Sequence, residues 1–335
     1  MEIKIGNKNI GDRNRTFIIA EVGINHNGSV NLAKKIIDKD VEAEVDAVKF
    51  QTFKTEERDS PKSSNFKLLK KLELDGSSFA ELSDHAKNNG IIFFSTPFSN
   101  SSVDVLSKIG VPAFKISSGD LTDTPLIEYV SSKQKPIIIS TGMANLEEVD
   151  EAVRIIRKQK NEKIIIMHSV SAYPIPLHEA NLNAIRTLGT KFSYPIGFSD
   201  NGPDMTLPLY AVAVGAKLIE KHFTLSKKLN GPDHKISMDP REMTLLVKKI
   251  KELESILGDG IKRCQKSELR NRTSIRRSIT MIKNVRKGYK ITTDNVDFLK
   301  PAMGIAPTFF STTIGKKVTK NKKMFSPLKW GDINN

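Results

Sequence analysis

Between Phe17 and Leu257, short runs rich in β-branched and aromatic residues alternate with longer amphipathic stretches. That alternation is the signature of repeated βα units on a parallel sheet. Eight strands are predicted: Phe17–Val22, Ala47–Gln51, Ile91–Thr96, Ala113–Ser117, Pro136–Thr141, Lys163–Ser169, Tyr194–Asp200 and Lys217–His222. Helical patterns follow them at Asn31–Glu44, Phe79–Asn89, Ser101–Ile109, Pro125–Ser132, Leu146–Lys158, Glu179–Leu188, Met205–Val214 and Pro240–Leu257. Ser29 or Asn31, Asn100 and the Asp239-Pro240 pair stand where a first helical turn needs a cap. Eight units in this order predict an α/β fold, a (β/α)8 TIM barrel. A doubly wound open sheet would want a glycine-rich turn after an early strand, and G-x-G-x-x-G is absent.

Gly258-Asp259-Gly260 ends the periodicity, and from Ser274 the units become short and closely spaced by turn residues: Ser278–Ile282, Lys287-Gly288-Tyr289, Thr292–Val296, Phe298–Lys300 and Lys316–Val318. This texture predicts a small β-rich second domain. The expected division is a barrel over residues 1–265 and the small domain over 275–335.

Charge bears on partners. The net charge of +15 suits either nucleic acid or anionic small substrates. Basic residues are interleaved with acids along most of the chain, and only Arg270–Arg286 is basic and acid-free. Scattered charge reads as a solvated surface, and no nucleic-acid module is present. No nucleic-acid partner is expected. Residues 1–9 lack the apolar stretch of a signal peptide, and no run reaches the length of a membrane span, so a cytoplasmic protein without membrane contact is expected. The single cysteine, Cys264, excludes an internal disulfide and any multi-cysteine metal site.

A barrel carries its chemistry at the C-terminal strand ends. Those ends offer Glu21, Lys49 with Gln51, Ser95-Thr96, Lys115 with Ser117-Ser118, Ser140-Thr141, His168-Ser169, Asp200-Asn201 and His222. Any barrel mouth is polar, so no single residue here decides the chemistry. The lysines are more telling: Lys49 and Lys115 stand inside apolar strands, where an ammonium is costly to bury without an anion. A lone lysine of this kind also reads as one snorkelling to the rim. Two on separate strands, joined by the hydroxyls of Ser118 and Ser140 and the amides of adjoining Gly119 and Gly142, outline a site for phosphate plus carboxylate. Ser-Thr-Gly by itself is equally a simple turn. His222 reads equally as a structural imidazole or a metal donor, and Glu21 as an ion-pair partner, a metal contact or a proton carrier. His26, in Asn25-His26-Asn27-Gly28, fits a turn as well as a site, and so does Asp233 in the rigid Gly231-Pro232-Asp233-His234 loop.

These segments are familiar together. FIIAEVGINHNGSVNLAKKII, DAVKFQTFK, FKISSGDL, IISTGMANLEEV, YPIGFSD, IEKHFTL and GPDHKISM resemble, in order, the sialic acid synthase family of N-acetylneuraminate, legionaminate and pseudaminate synthases. The C-terminal IRRSITMIKNVRKGYKITTDNVDFLKPAMGI is similar to the small antifreeze-like (SAF) domain that follows the barrel in that family. The resemblance implies a metal-dependent condensation of phosphoenolpyruvate with an amino-sugar aldehyde, releasing phosphate. It places phosphoenolpyruvate against Lys49, Gln51, Lys115, Ser118 and Ser140. It gives catalytic roles to Glu21 and Asp233, sugar contacts to Tyr173 and Lys300, and a divalent ion (Mn2+ or Mg2+) to His222 and Asn201. It also implies a homodimer in which the small domain of one subunit caps the barrel of the other. Two departures stand out. The family usually reads Ser-Asp-His where this chain has Ser199-Asp200-Asn201, which weakens or shifts metal preference. Lys300 replaces a common arginine and lacks its planar fork, which bears on the identity of the sugar. A catalytically lapsed sugar-binding homologue and a phosphoenolpyruvate-dependent synthase for another aldehyde are the alternatives.

Overall fold

The structure is a computed structural model and describes residues 1–202 and 204–334. It divides into two compact units, Met1–Gly258 and Asp259–Asn335.

In the first unit a hairpin, β1 (Ile3–Ile5) and β2 (Lys8–Ile10), precedes the barrel. Ile3, Ile5 and Ile10 join the main hydrophobic core. The turn residue Gly6 has φ +58°, and a Cβ there would come within 3.1 Å of Ile92, at the start of a barrel strand. The hairpin therefore packs at the N-terminal end of the barrel, opposite the expected site.

Eight parallel strands then close on themselves: β3 (Phe17–Gly23), β4 (Ala47–Thr52), β5 (Ile92–Pro97), β6 (Phe114–Ile116), β7 (Ile137–Ser140), β8 (Ile164–Ser169), β9 (Ile196–Asp200) and β10 (Leu218–His222). β10 pairs with β3 to complete the ring, as the strand count predicts. Both strand faces are buried, against the barrel interior and against the helices, which explains why the sequence runs read as almost unbroken Ile, Val and Phe. The expected helices form, with Glu179–Leu188 displaced to Asn183–Phe192.

Register sets the height of each site residue. His222 lies beside Glu21, and Glu21 beside Lys49. Alternation then points Glu21, Lys49, Lys115 and Glu220 into the barrel and turns Asp200 and Lys221 outward toward the helices. The outward pair forms a buried ion pair at 2.6 Å, with both side chains 0% exposed. The loop after β4 carries structure of its own. Between β4 and the helix Gly76–Asn88 lie two short helices, Thr55–Arg58 and Phe66–Leu72, that the sequence reading missed. Glu73 ties the first of them down by accepting from Thr55 N at 2.9 Å and Thr55 Oγ1 at 2.8 Å.

The second unit holds one antiparallel ladder, β11 (Ser278–Met281) with β12 (Val296–Leu299). Around it, isolated bridges join Thr280 to Pro327, Val285 to Lys322, Lys290 to Lys317 and Val318 to Ile333. Phe298–Lys300, expected as a separate strand, is the end of β12 and the residue after it. The core of this unit is Ile279, Met281, Val285, Ile291, Val296, Ile305, Val318, Leu328 and Ile333. Among the described residues, no helix is long and apolar enough to cross a membrane.

Candidate active site

Four buried charges form the floor of the barrel mouth. Lys49 Nζ lies 2.5 Å from Glu21 Oε2 and 3.7 Å from Glu220 Oε1, while Lys115 Nζ reaches both Glu220 oxygens at 2.8 and 2.9 Å. Thr96 Oγ1 accepts from Lys49 at 3.2 Å, and Ser199 Oγ donates to Glu220 at 3.1 Å. The two lysines converge in one cup, as their strand positions suggest. Their counter-charge differs from the expectation: the protein supplies it, through Glu21 and Glu220, so burial of the ammoniums does not by itself require a bound anion.

The four groups do not share the burden equally. Burial pushes Glu21 up, and the attraction of Lys49 only partly opposes this. Burial also works against Glu220, but the pull of Lys115 and Lys49 overcomes it and brings the carboxyl to about 2. Lys49 is held above its ordinary value because Glu21 and Glu220 outweigh desolvation, whereas desolvation wins at Lys115 and lowers it. At Glu220 and Lys49 the neighbouring charges thus favour the ionised form, while at Glu21 and Lys115 burial prevails over them.

Hydroxyls build one wall. Ser117, Ser118, Ser140, Ser169, Ser171 and Ser199 all line the cavity. Gly142 N donates to Ser118 Oγ at 3.0 Å, and a Cβ on Gly142 would collide with Ser118 and Ser171. A side chain there would have to push both serines aside, a close approach that the turn reading of Ser-Thr-Gly did not anticipate.

The cavity measures about 640 Å³ and also takes in Gln51, Tyr173, Asn201, His222 and Asp233. Tyr173 is 59% exposed at the rim, its ring edge-on to His222 at 6.4 Å. The barrel unit thus gathers every expected site residue except Lys300, which belongs to the second unit and is exposed there. His168 and Asp200 are corrections to the reading of the strand ends. His168 Nε2 bonds Ala180 O at 2.8 Å, and Asp200 is committed to Lys221, so neither lines the cavity. His26 takes the turn role, accepting from Gly28 N at 3.1 Å, and burial lowers it to about 4.

Sequence reasoning also missed two residues of the site. Glu220 lies two residues before His222 on β10 and shares its inward parity. Arg58, on the long β4 loop, donates to Gln51 Oε1 at 3.1 Å, and Gln51 in turn donates to Glu21 Oε1 at 3.3 Å.

For a metal, the structure offers a sparse donor set. His222 Nδ1 is buried and unpartnered, and desolvation lowers the ring toward its neutral, ligating form despite the opposing charge of Asp233. Asn201 Nδ2 donates to Val170 O at 3.0 Å, which leaves the side-chain oxygen for a ligand. Among the described residues, no group of three or more His, Cys, Asp or Glu is placed to hold a metal. One imidazole and one amide oxygen fit a hard, loosely held cation whose remaining ligands are water or substrate oxygens.

A cavity lined by buried lysines, carboxylates and hydroxyls at the C-terminal mouth of a TIM barrel is the arrangement of small-molecule barrel enzymes. Residues 36–262 match the NeuB family, and the chain belongs to that family. It is 41% identical to an N,N'-diacetyllegionaminic acid synthase of Campylobacter jejuni, covering 92% of this chain and 97% of that one. The crystal structure of an N-acetylneuraminic acid (sialic acid) synthetase from Leptospira borgpetersenii, in complex with citrate, is 39% identical, with a TM-score of 0.78 over 81% of this chain and 95% of that one. The Bacillus subtilis spore coat polysaccharide biosynthesis protein SpsE is 35% identical, with a TM-score of 0.71 over 100% and 99% of the two chains.

Proposed function

We propose that the chain is a cytoplasmic nonulosonic acid synthase. It would condense phosphoenolpyruvate with an N-acylmannosamine-type sugar aldehyde, giving a 2-keto-3-deoxy nine-carbon acid and inorganic phosphate. The observation that carries this is the convergence of Lys49 and Lys115 on one buried floor. Family membership and the synthase names of its relatives support it.

In this reading the ammoniums of Lys49 and Lys115 hold the carboxylate and phosphate, with Gln51, Ser118 and Ser140 completing the hydrogen bonds. The C3 carbon attacks the aldehyde carbon, and the aldehyde oxygen takes up a proton. Positive character develops at C2, water adds there and loses a proton, and the tetrahedral intermediate collapses to the keto group as its C–O bond to phosphate breaks, the C2 hydroxyl proton passing to the departing phosphate. Glu220, firmly ionised, keeps negative charge beneath C2 as it becomes cationic. Glu21, pushed up by burial, carries a proton at the sugar or water oxygen. Asp233 orients sugar hydroxyls, and Tyr173 lines the sugar side. A divalent ion, Mn2+ or Mg2+, on His222 and Asn201 would supply Lewis-acid polarisation.

The second unit is read as an antifreeze-like (SAF) domain that, in a domain-exchanged homodimer, brings Lys300 to the sugar of a partner subunit. The test is phosphate release from phosphoenolpyruvate with a panel of N-acylated mannosamine and diacetamido sugar aldehydes, with and without chelator. Release with an amino sugar, abolished by chelator, is expected. No release with any aldehyde in the presence of Mn2+ would mean a catalytically lapsed sugar-binding protein, and release only with other aldehydes would mean a different synthase.

A further inference from the structure

Arg58 ends the short helix Thr55–Arg58 and, among the described residues lining the cavity, is the only arginine. Its guanidinium is held firmly: Cζ lies 3.9 Å from the Phe98 ring centre and 4.8 Å from that of Phe53, and Nη1 donates to Gln51 Oε1 at 3.1 Å. Nε faces Asp59 Oδ1 at 3.6 Å. None of these contacts uses Nη2. A fork fixed on aromatic rings loses little freedom when it makes one more bond, so its free edge is prepared for a ligand.

Position and charge indicate which ligand. Arg58 is set back from the lysines by Gln51, so it flanks the enol phosphate cup rather than forming its floor. Asp59, Asp120 and Asp233 line the same cavity, and all three face Arg58 closely enough for their charge to act on it. One guanidinium among three carboxylates makes this side of the cavity acidic, which repels a second phosphate and leaves the arginine to bond a neutral oxygen.

We propose that Arg58 is a specificity-determining residue: its free edge donates to a hydroxyl or acyl-carbonyl oxygen of an uncharged sugar, while Asp59, Asp120 and Asp233 turn away a phosphorylated one. This rests on the synthase reading above and names the substrate class of that site.

The test measures KM for both substrates, melting temperature, and calorimetric binding of N-acetylmannosamine and its 6-phosphate without phosphoenolpyruvate. Arg58→Gln should raise the sugar KM by about tenfold to a hundredfold, the loss expected for a hydrogen bond to a charged group. KM for phosphoenolpyruvate should rise by a clearly smaller factor, through the lost bond from Arg58 to Gln51 alone. Arg58→Lys should fall between, and Asp120→Asn should narrow the preference for the unphosphorylated sugar. An unchanged sugar KM, a rise confined to phosphoenolpyruvate, a loss of activity that only tracks a lower melting temperature, or wild-type preference for the phosphorylated sugar would each overturn the proposal. If wild type releases no phosphate with any sugar, the synthase reading fails on its own, and calorimetry still decides about Arg58. Weaker N-acetylmannosamine binding in Arg58→Gln then supports the proposal, and unchanged or absent binding overturns it.

Discussion

Glu220 receives Lys115 Nζ on both carboxylate oxygens, at 2.8 and 2.9 Å, at the floor of the barrel mouth. This pair gives a buried lysine its counter-charge from within the protein. The carboxylate fixes the ammonium in place, and the third ammonium proton remains for a substrate.

Removing the carboxylate should expose that arrangement. Glu220→Gln leaves Lys115 buried without its main counter-charge and should cost roughly 3–5 kcal/mol, the usual penalty for breaking a buried pair. Phosphoenolpyruvate supplies the missing negative charge, so its stabilising shift in a thermal melt should be larger in Glu220→Gln than in wild type. An equal or smaller shift would show that the ligand does not meet Lys115.

Asp40 is a different kind of buried carboxyl. It lies in the helix Val30–Glu42 with both oxygens buried and unpartnered among the described residues, and burial pushes it well above its ordinary value of 3.8. A folded-state value above the unfolded one means the native state holds the proton longer. Stability is therefore full below about pH 4 and falls as pH rises toward the folded value. Asp40→Asn removes the ionisation and should stabilise the protein at pH 8 by roughly 1–3 kcal/mol, with little change at pH 4. Denaturant melts at the two pH values check this, and an equal effect at both would contradict it.

A Cβ on Gly142 would press on the side chains of Ser118 and Ser171. Gly142→Ala should displace Ser118 and raise KM for phosphoenolpyruvate by about tenfold or more, with the sugar KM much less affected. Steady-state kinetics in both substrates separate the two effects.

Asn201 offers an amide oxygen in place of an imidazole. Asn201→His should tighten Mn2+ binding by about tenfold or more, as judged by direct titration with electron paramagnetic resonance. No tightening would place the metal elsewhere.

The barrel was legible because each strand is buried on both faces and so is written in Ile, Val and Phe, as in Ile137–Ile139 and Ile164–Ile166. Strand ends located Lys49 and Lys115 for the same reason, since charge is conspicuous in an apolar run. The hairpin was not legible: Ile3, Ile5 and Ile10 are three apolar residues in a polar stretch, and only the barrel gives them something to bury against. Arg58 sits in Lys-Thr-Glu-Glu-Arg-Asp, which reads as solvated loop until Phe53 and Phe98 fold beneath it. The outward turn of His168 and Asp200 follows from strand parity, a signal that listing the polar strand ends passed over.

The central claim is that Lys49 and Lys115 together hold one enol phosphate, and calorimetric titration of phosphoenolpyruvate into wild type, Lys49→Met and Lys115→Met tests it most directly. Each single variant is expected to lose about a hundredfold in affinity or more, as when one partner of a buried charge pair is removed. Retained affinity in either variant, with the fold intact by circular dichroism, would contradict the account.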